Sequence, residues 1–186
     1  SPYPETDRFL KTVSGDLTLN ECWTHVFARD HFQQHTRINH LRQLIGRMVW
    51  LAMETNRTLV IPRYLRDKDS YAIPILSIVD ITSIDALVSW RYLSHDERRD
   101  LETNTNPRTI IAQSHPEELV KEIISYPDTT LIQIEDVCTL LDNNDDTSVV
   151  ENDKMAQIME KLTFCMNDPR VVFTRSIGSW SRLCGT

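Results

Sequence analysis

The chain has 186 residues, of which 40% are hydrophobic and 25% charged, a length and composition typical of one globular domain. Its net charge of −7 argues against nucleic acid as a partner, because phosphate contacts need clustered cations, and no apolar run approaches the roughly 20 residues that cross a bilayer. The 4 glycines stand apart from one another, which excludes the Gly-rich phosphate loops of dinucleotide and P-loop sites.

The N-terminal part of the chain carries no strong pattern, since the first clear element begins at about Ile38. We therefore treat 1–35 as an N-terminal extension of an α/β domain that spans 36–186. The chain starts at Ser1 without an initiator Met, as expected of a processed or clipped form.

A cluster of histidines near the start of the domain is a candidate metal site. Four histidines follow Cys22, and zinc accepts both residue types: they are His25, His31, His35 and His40. The central spacer is shorter than in ordinary zinc fingers, and nothing in the spacing defines a tetrahedron. We predict solvated or partly packed histidines and no metal site.

The first clear element is an amphipathic helix over about 38–54, followed by a short buried strand over 58–61 that Pro62 closes. The apolar positions of the helix recur at the spacing of one helical face, namely Leu41, Leu44, Ile45, Met48, Leu51 and Ala52. This pattern predicts a compact helix-to-strand unit.

Helices and strands alternate in the rest of the chain. Near-continuous apolar runs predict strands buried on both faces of a parallel sheet, at 108–112, 129–134 and 170–174. Helical patterns at about 117–125 and 153–164 lie between these runs. The alternation favours a three-layer, Rossmann-like α/β domain with a mostly parallel sheet.

Three local signals refine these boundaries. Capping boxes at Ser94–Glu97 and Ser114–Glu117 predict that helices begin there. The acidic stretch 142–153 lacks the turn glycine of a calcium-binding loop, so we predict a surface loop.

The segment Thr36–Arg42 is the most informative for function. If a helix begins here, its free backbone N–H groups suit a phosphate, and Arg37 and Arg42 add cations. In the alternative, Asn39 is simply the N-cap of an ordinary solvated helix start. The residues themselves leave both interpretations open.

Two stretches of the chain resemble the GDP-fucose protein O-fucosyltransferase superfamily. The first contains Ile38-Asn39-His40-Leu41-Arg42 and continues through the helix to Asn56-Arg57-Thr58-Leu59-Val60-Ile61-Pro62. It is similar to the family's Asn-x-x-Arg turn, helix and Asn-Arg-Thr-Leu-Val-Leu-Pro segment. The second, over 71–87, is similar to the family's segment ending in Phe-Asp-x-x-x-Leu.

The resemblance implies one half of a GT-B fold, in which two Rossmann-like halves hold the sugar nucleotide between them. It implies that Arg37, Asn39, His40 and Arg42 line the donor side, with GDP-fucose as the donor substrate and no other cofactor. It identifies no catalytic residue. It also implies the secretory pathway, in the ER or Golgi lumen or outside the cell.

Two further features are compatible with that compartment. The sequon Asn56-Arg57-Thr58 makes Asn56 a candidate for N-glycosylation. Four cysteines allow two disulfides in three connectivities, or buried thiols, and spacing does not choose among these: they are Cys22, Cys138, Cys165 and Cys184.

Departures from the family pattern favour an inactive chain. Whole enzymes of this type are about twice as long, so the chain corresponds to an N-terminal half or a reduced form. Thr36 and Arg37 replace the glycines that bring the backbone close to the ligand. The alternative function is therefore a non-catalytic interaction or assembly subunit, whose cleft face is covered by a protein partner or the missing C-terminal half. A generic α/β domain is the third interpretation.

Overall fold

A computed structural model describes residues 7–13, 17–18, 34–66, 72–77, 79–113, 115–141, 149–165 and 180–181. The expected strand at 170–174, Ser114 and most of the acidic stretch, 142–148, lie outside the described residues.

The described residues form ten strands and five α-helices. In chain order the strands are β1 (Phe9–Thr12), β2 (Leu17–Thr18), β3 (Thr58–Val60), β4 (Tyr64–Arg66), β5 (Ala72–Pro74), β6 (Trp90–Arg91), β7 (Arg108–Ile111), β8 (Leu131–Glu135), β9 (Phe164–Cys165) and β10 (Trp180–Ser181). The helices are α1 (Gln34–Thr55), α2 (Ile81–Asp85), α3 (His95–Asn104), α4 (Pro116–Ile124) and α5 (Val149–Lys161). Short 3-10 turns lie at Ile75–Ser77 and Val137–Leu141.

The main sheet has five strands in the order β6-β3-β1-β8-β7, and every neighbouring pair is parallel. Counted by chain position, this order is 3-2-1-5-4, so the last two strands are exchanged relative to the usual Rossmann order. Two smaller sheets, β2-β4-β5 and β9-β10, complete the described strands.

The helices cover both faces of the main sheet, which confirms the three-layer, Rossmann-like architecture. A large core holds residues of α1, α2, α4 and α5 against one face, and a smaller core holds Leu101 of α3 against the other. Right-handed crossovers explain this division. The connection from β6 to β7 runs across the sheet in the opposite direction to the other crossovers, so α3 lies on the opposite face.

Helix α1 is the central helix of the larger core. Among the residues of α1 whose side chains are described, most of those from Leu44 to Ala52, together with Thr55, are buried. On its outer side it packs on α5, where Lys154 donates to Glu54 over 3.0 Å. A Cβ at Gly46 would lie 2.4 Å from Met159 Sδ, so the glycine permits close packing of the two helices.

Helix α1 ends in a Schellman motif. The Arg57 N–H donates to Ala52 O over 3.1 Å and the Asn56 N–H to Met53 O over 3.3 Å. Asn56 has a φ of 51°, the left-handed conformation that Asn tolerates better than most residues. The chain therefore leaves the helix and enters β3 within three residues.

Several expected boundaries need correction. Residues 9–12, which we assigned to an N-terminal extension, form β1 in the middle of the sheet. The capping box predicted at Ser94 is present, with Ser94 and Glu97 bonded reciprocally. The capping box predicted at Ser114 is wrong, because the N-cap of α4 is His115. Its side chain makes no cap bond, and Pro116 is the first residue of the helix, a position that favours proline.

The acidic stretch also differs from the prediction. Residues 149–153 are the first turns of α5 rather than part of a loop.

Candidate functional site

The carboxyl end of the main sheet is the candidate functional site. Open parallel sheets bind ligands outside the carboxyl ends of their strands, where the loops leave the sheet. In this chain that edge is formed by the residues that follow Thr12, Val60, Arg91, Ile111 and Glu135.

Helix α1 extends past this edge. Its C-terminus meets the amino end of β3, so the helix is antiparallel to the strands and its N-terminus lies towards the carboxyl end of the sheet. Its 22 residues span about 33 Å, whereas the five residues of β8 span about 16 Å, so a length of roughly 11 helical residues at the start of α1 extends past the sheet. All four expected donor-binding residues belong to this extension: Arg37, Asn39, His40 and Arg42.

The helix start itself needs correction. We expected the free N–H groups of the first turn at Thr36–Arg42, but α1 begins at Gln34. The helical residues whose N–H groups have no partner inside the helix are therefore 34–36, and none of the four donor candidates is among them. Asn39 lies inside the helix and is not its N-cap. The main chain alone is described for residues 34–42, so the directions of these side chains are not part of the description.

The other half of the resemblance has a structural explanation. Asn56 ends α1 and is exposed, which leaves room for a glycan, whereas Arg57 and Thr58 are buried. The Thr58 hydroxyl donates to Ser89 Oγ over 3.5 Å. These residues lie at the amino end of the sheet, opposite the candidate site.

Arg57 ties three segments together at that amino end. Its guanidinium donates to Tyr126 O over 2.9 Å, to Thr129 O over 2.8 Å and to Phe9 O over 3.4 Å. Burial, followed by the charge of Arg8, lowers the pKa of Arg57 to about 10. The side chain is 2% exposed and donates to three main-chain carbonyl groups, so its contacts are those of a structural residue.

A row of polar side chains crosses three strands on the sheet face that α3 covers. Lys11, Gln133 and Thr109 occupy matching positions of β1, β8 and β7. The Thr109 hydroxyl donates to Gln133 Oε1 over 3.3 Å, and Gln133 Nε2 donates to Glu102 Oε1 of α3 over 3.3 Å. The same Glu102 oxygen accepts from Lys11 Nζ over 3.4 Å.

Lys11 is the most unusual group of this row. It is 3% exposed and lies one residue before the end of the central strand, where its Nζ also donates to Val13 O over 3.2 Å. Burial lowers the pKa of Lys11, Glu102 opposes that shift, and the charge of Arg98 adds to it. Among the described residues no acceptor meets the third N–H of this ammonium group.

A second group of charged and aromatic residues follows β3 and β6 at the same edge. Arg63 lies over the Tyr92 ring, with its Cζ 4.9 Å from the ring centroid, and donates to Leu93 O over 3.4 Å. Arg91 pairs with Glu97 in the first turn of α3. Burial raises the pKa of Tyr92 to about 12, so its hydroxyl stays protonated at neutral pH.

Metal and disulfide chemistry concern residues that are described only in part. Within the described ranges, no three His, Cys, Asp or Glu side chains are grouped so as to hold a metal ion. Cys22, His25, His31 and Cys184 lie outside those ranges, and only the main chain is described at His35, His40, Cys138 and Cys165. Among the helices the structure describes, none is both long and apolar enough to span a membrane.

Comparison with protein-family models, with curated proteins and with solved structures yields no match to this chain.

Lys11, Glu102 and Gln133 are site candidates that the sequence did not indicate. Lys11 lies in the stretch that we assigned to an N-terminal extension, and Glu102 belongs to a helix whose exposed face is highly charged. The available signal was the run Phe9-Leu10-Lys11-Thr12, in which a cation directly follows an apolar pair near the start of an α/β chain. Only the pairing of β1 between β3 and β8 shows that this lysine is buried.

Proposed function

We propose that this chain is a glycosyltransferase-like domain that binds a guanosine diphosphate sugar, with GDP-fucose as the expected donor, at the carboxyl end of its main sheet. The observation that carries the proposal is the extension of α1 past this edge. Its main chain contains all four residues that the O-fucosyltransferase resemblance assigns to the donor: Arg37, Asn39, His40 and Arg42.

The chemistry expected of such a site is electrostatic. When the sugar moves to an acceptor hydroxyl, negative charge develops on the departing diphosphate, and preorganised cations and N–H groups stabilise it. Arg37 and Arg42 supply cations, and the first-turn N–H groups of α1 supply donors. Donor binding alone needs only these groups, whereas transfer needs a second Rossmann-like half or a partner to close the site.

The experiment is isothermal titration calorimetry of the folded chain with GDP and with GDP-fucose. We expect binding that weakens at least tenfold in Arg42→Ala and changes less than twofold in the control Arg99→Ala, which lies on the exposed face of α3. If neither nucleotide gives heat with folded protein, the proposal is wrong.

A second candidate function is a non-catalytic assembly subunit located in the secretory pathway. Two large apolar side chains at the same end of the sheet favour it, since Val13 is 43% exposed and Ile111 59% exposed. Stoichiometric copurification with a larger assembly, lost on Ile111→Asp and accompanied by no response to GDP, supports the subunit. Nucleotide binding by the isolated chain supports the transferase-like domain.

A further inference from the structure

We propose that Lys11 is an anion-binding residue of the donor site and that Glu102 occupies it when no ligand is bound. The inference rests on the proposed function, because it takes the diphosphate of the sugar nucleotide as the anion. It adds a residue that the family resemblance does not include.

Lys11 lies close to the carboxyl end of the central strand. Its Nζ contacts the carbonyl of Val13, the first residue after β1, so the ammonium group points towards the carboxyl end of the central strand. Helix α1 follows β1 in the chain and covers the other face of the sheet. A diphosphate that lies over the end of β1 can therefore contact α1 on one side and Lys11 on the other.

The hydrogen bonds of Lys11 are long. Its two hydrogen bonds measure 3.2 and 3.4 Å, whereas a charge-assisted N–H to oxygen bond is typically about 2.7–2.9 Å. Within the part of the chain that the structure describes, its third N–H has no acceptor. A buried ammonium group needs full compensation by hydrogen bonds and opposite charge, and these two contacts supply only part of it.

The Glu102 carboxylate is free to move away from Lys11 towards solvent. Its side chain is 38% exposed, and a single oxygen, Oε1, accepts from both Lys11 and Gln133. Rotation of this carboxylate into solvent uncovers Lys11 without moving the strand. The remaining local charge is then positive, from Lys11 and from Arg98, whose charge already acts on Lys11. A diphosphate replaces one carboxylate charge by at least two, which makes the exchange favourable.

Substitutions of Lys11 and Glu102 should shift GDP affinity in opposite directions. A purely structural ion pair predicts no such opposition. Lys11→Met removes the cation and should weaken GDP binding roughly tenfold, or about 1.4 kcal/mol. Glu102→Gln removes the competing charge, keeps the shape of the side chain, and should tighten GDP binding several-fold. Lys121→Met is the matched control and should change affinity less than twofold, because Lys121 is an exposed residue of α4 that pairs with Glu118 over 3.6 Å.

The measurement is calorimetric titration of each variant of the 186-residue chain with GDP, after far-UV circular dichroism confirms folding. Opposite shifts for the Lys11 and Glu102 variants support the proposal. Shifts in the same direction, or no shift in either, overturn it while GDP binding by the wild type leaves the proposed function intact. If Lys11→Met does not fold, Glu102→Gln decides alone, and unchanged or weaker binding overturns the proposal. Absence of binding by the folded wild type overturns both.

Discussion

Arg57 provides the sharpest test of how this fold is held together, because its side chain joins β3 to two other segments. Arg57→Met preserves most of the aliphatic stem and removes the guanidinium, so the carbonyls of Tyr126 and Thr129 lose donors at 2.9 and 2.8 Å. The longer contact with Phe9 O, at 3.4 Å, counts for little.

Hydrogen bonds from a charged group contribute about 1.5–3 kcal/mol each, and the two short ones therefore total roughly 3–6 kcal/mol. Relief of the cost of burying the guanidinium offsets part of this loss. We expect Arg57→Met to destabilise the chain by about 3 kcal/mol, or roughly 6–12 °C in Tm for a domain of this size.

The matched control is Arg108→Met in the same region. Arg108 is exposed, its Cζ lies 3.8 Å from the Tyr126 ring centroid, and it donates to the Tyr126 hydroxyl over 3.0 Å. An exposed cation–π contact contributes about 0.5–1 kcal/mol, so this variant should lose about 1 kcal/mol at most. Urea denaturation followed by circular dichroism measures both. Equal losses in the two variants, or a loss below about 1 kcal/mol for Arg57→Met, would refute the structural role of Arg57.

Three further variants test other parts of the fold. Ser94→Ala removes the capping box of α3 and should cost about 1 kcal/mol in urea denaturation; an unchanged midpoint contradicts this. Gly46→Ala forces Met159 away from α1 and should lower the free energy of unfolding by about 1–3 kcal/mol. Met159→Ala in the same chain should remove most of that penalty. If the two changes in the free energy of unfolding simply add, the contact between the two positions is contradicted. Burial lowers the pKa of Lys11, so the unfolded chain binds more protons than the folded chain as pH approaches 10.5. The free energy of unfolding of the wild type should therefore rise with pH relative to that of Lys11→Met. Parallel pH profiles of the two proteins contradict this.

The elements that pack by regular periodicity were predictable. The apolar face of α1 indicated the helix because 3.6-residue spacing follows directly from burial on one side, and Ser94 marked the start of α3 through local chemistry alone. The N-terminal limit of α1 was not predictable in this way, since its first four residues, 34–37, are all polar and carry no apolar periodicity. The Pro116 ring decided the start of α4 against the apparent capping box.

Strand β1 was missed for a different physical reason. Four residues are too short for alternation to stand out, and Lys11 interrupts the apolar pattern because it faces Glu102 and Gln133 rather than a hydrocarbon core. Pairing with distant residues, Thr58 on one side and Leu131 on the other, determines this strand. The row of polar side chains was missed with it, because Lys11, Gln133 and Thr109 meet only through the order of the strands.

The central claim, that the carboxyl end of the main sheet binds a guanosine diphosphate sugar, is tested most directly by calorimetric titration of the folded chain with GDP. The account predicts saturable binding with one nucleotide per chain, lost or strongly weakened in Arg42→Ala and preserved in Arg57→Lys if that variant folds. Absence of heat with folded wild-type protein, or binding that Arg42→Ala leaves unchanged, would contradict it.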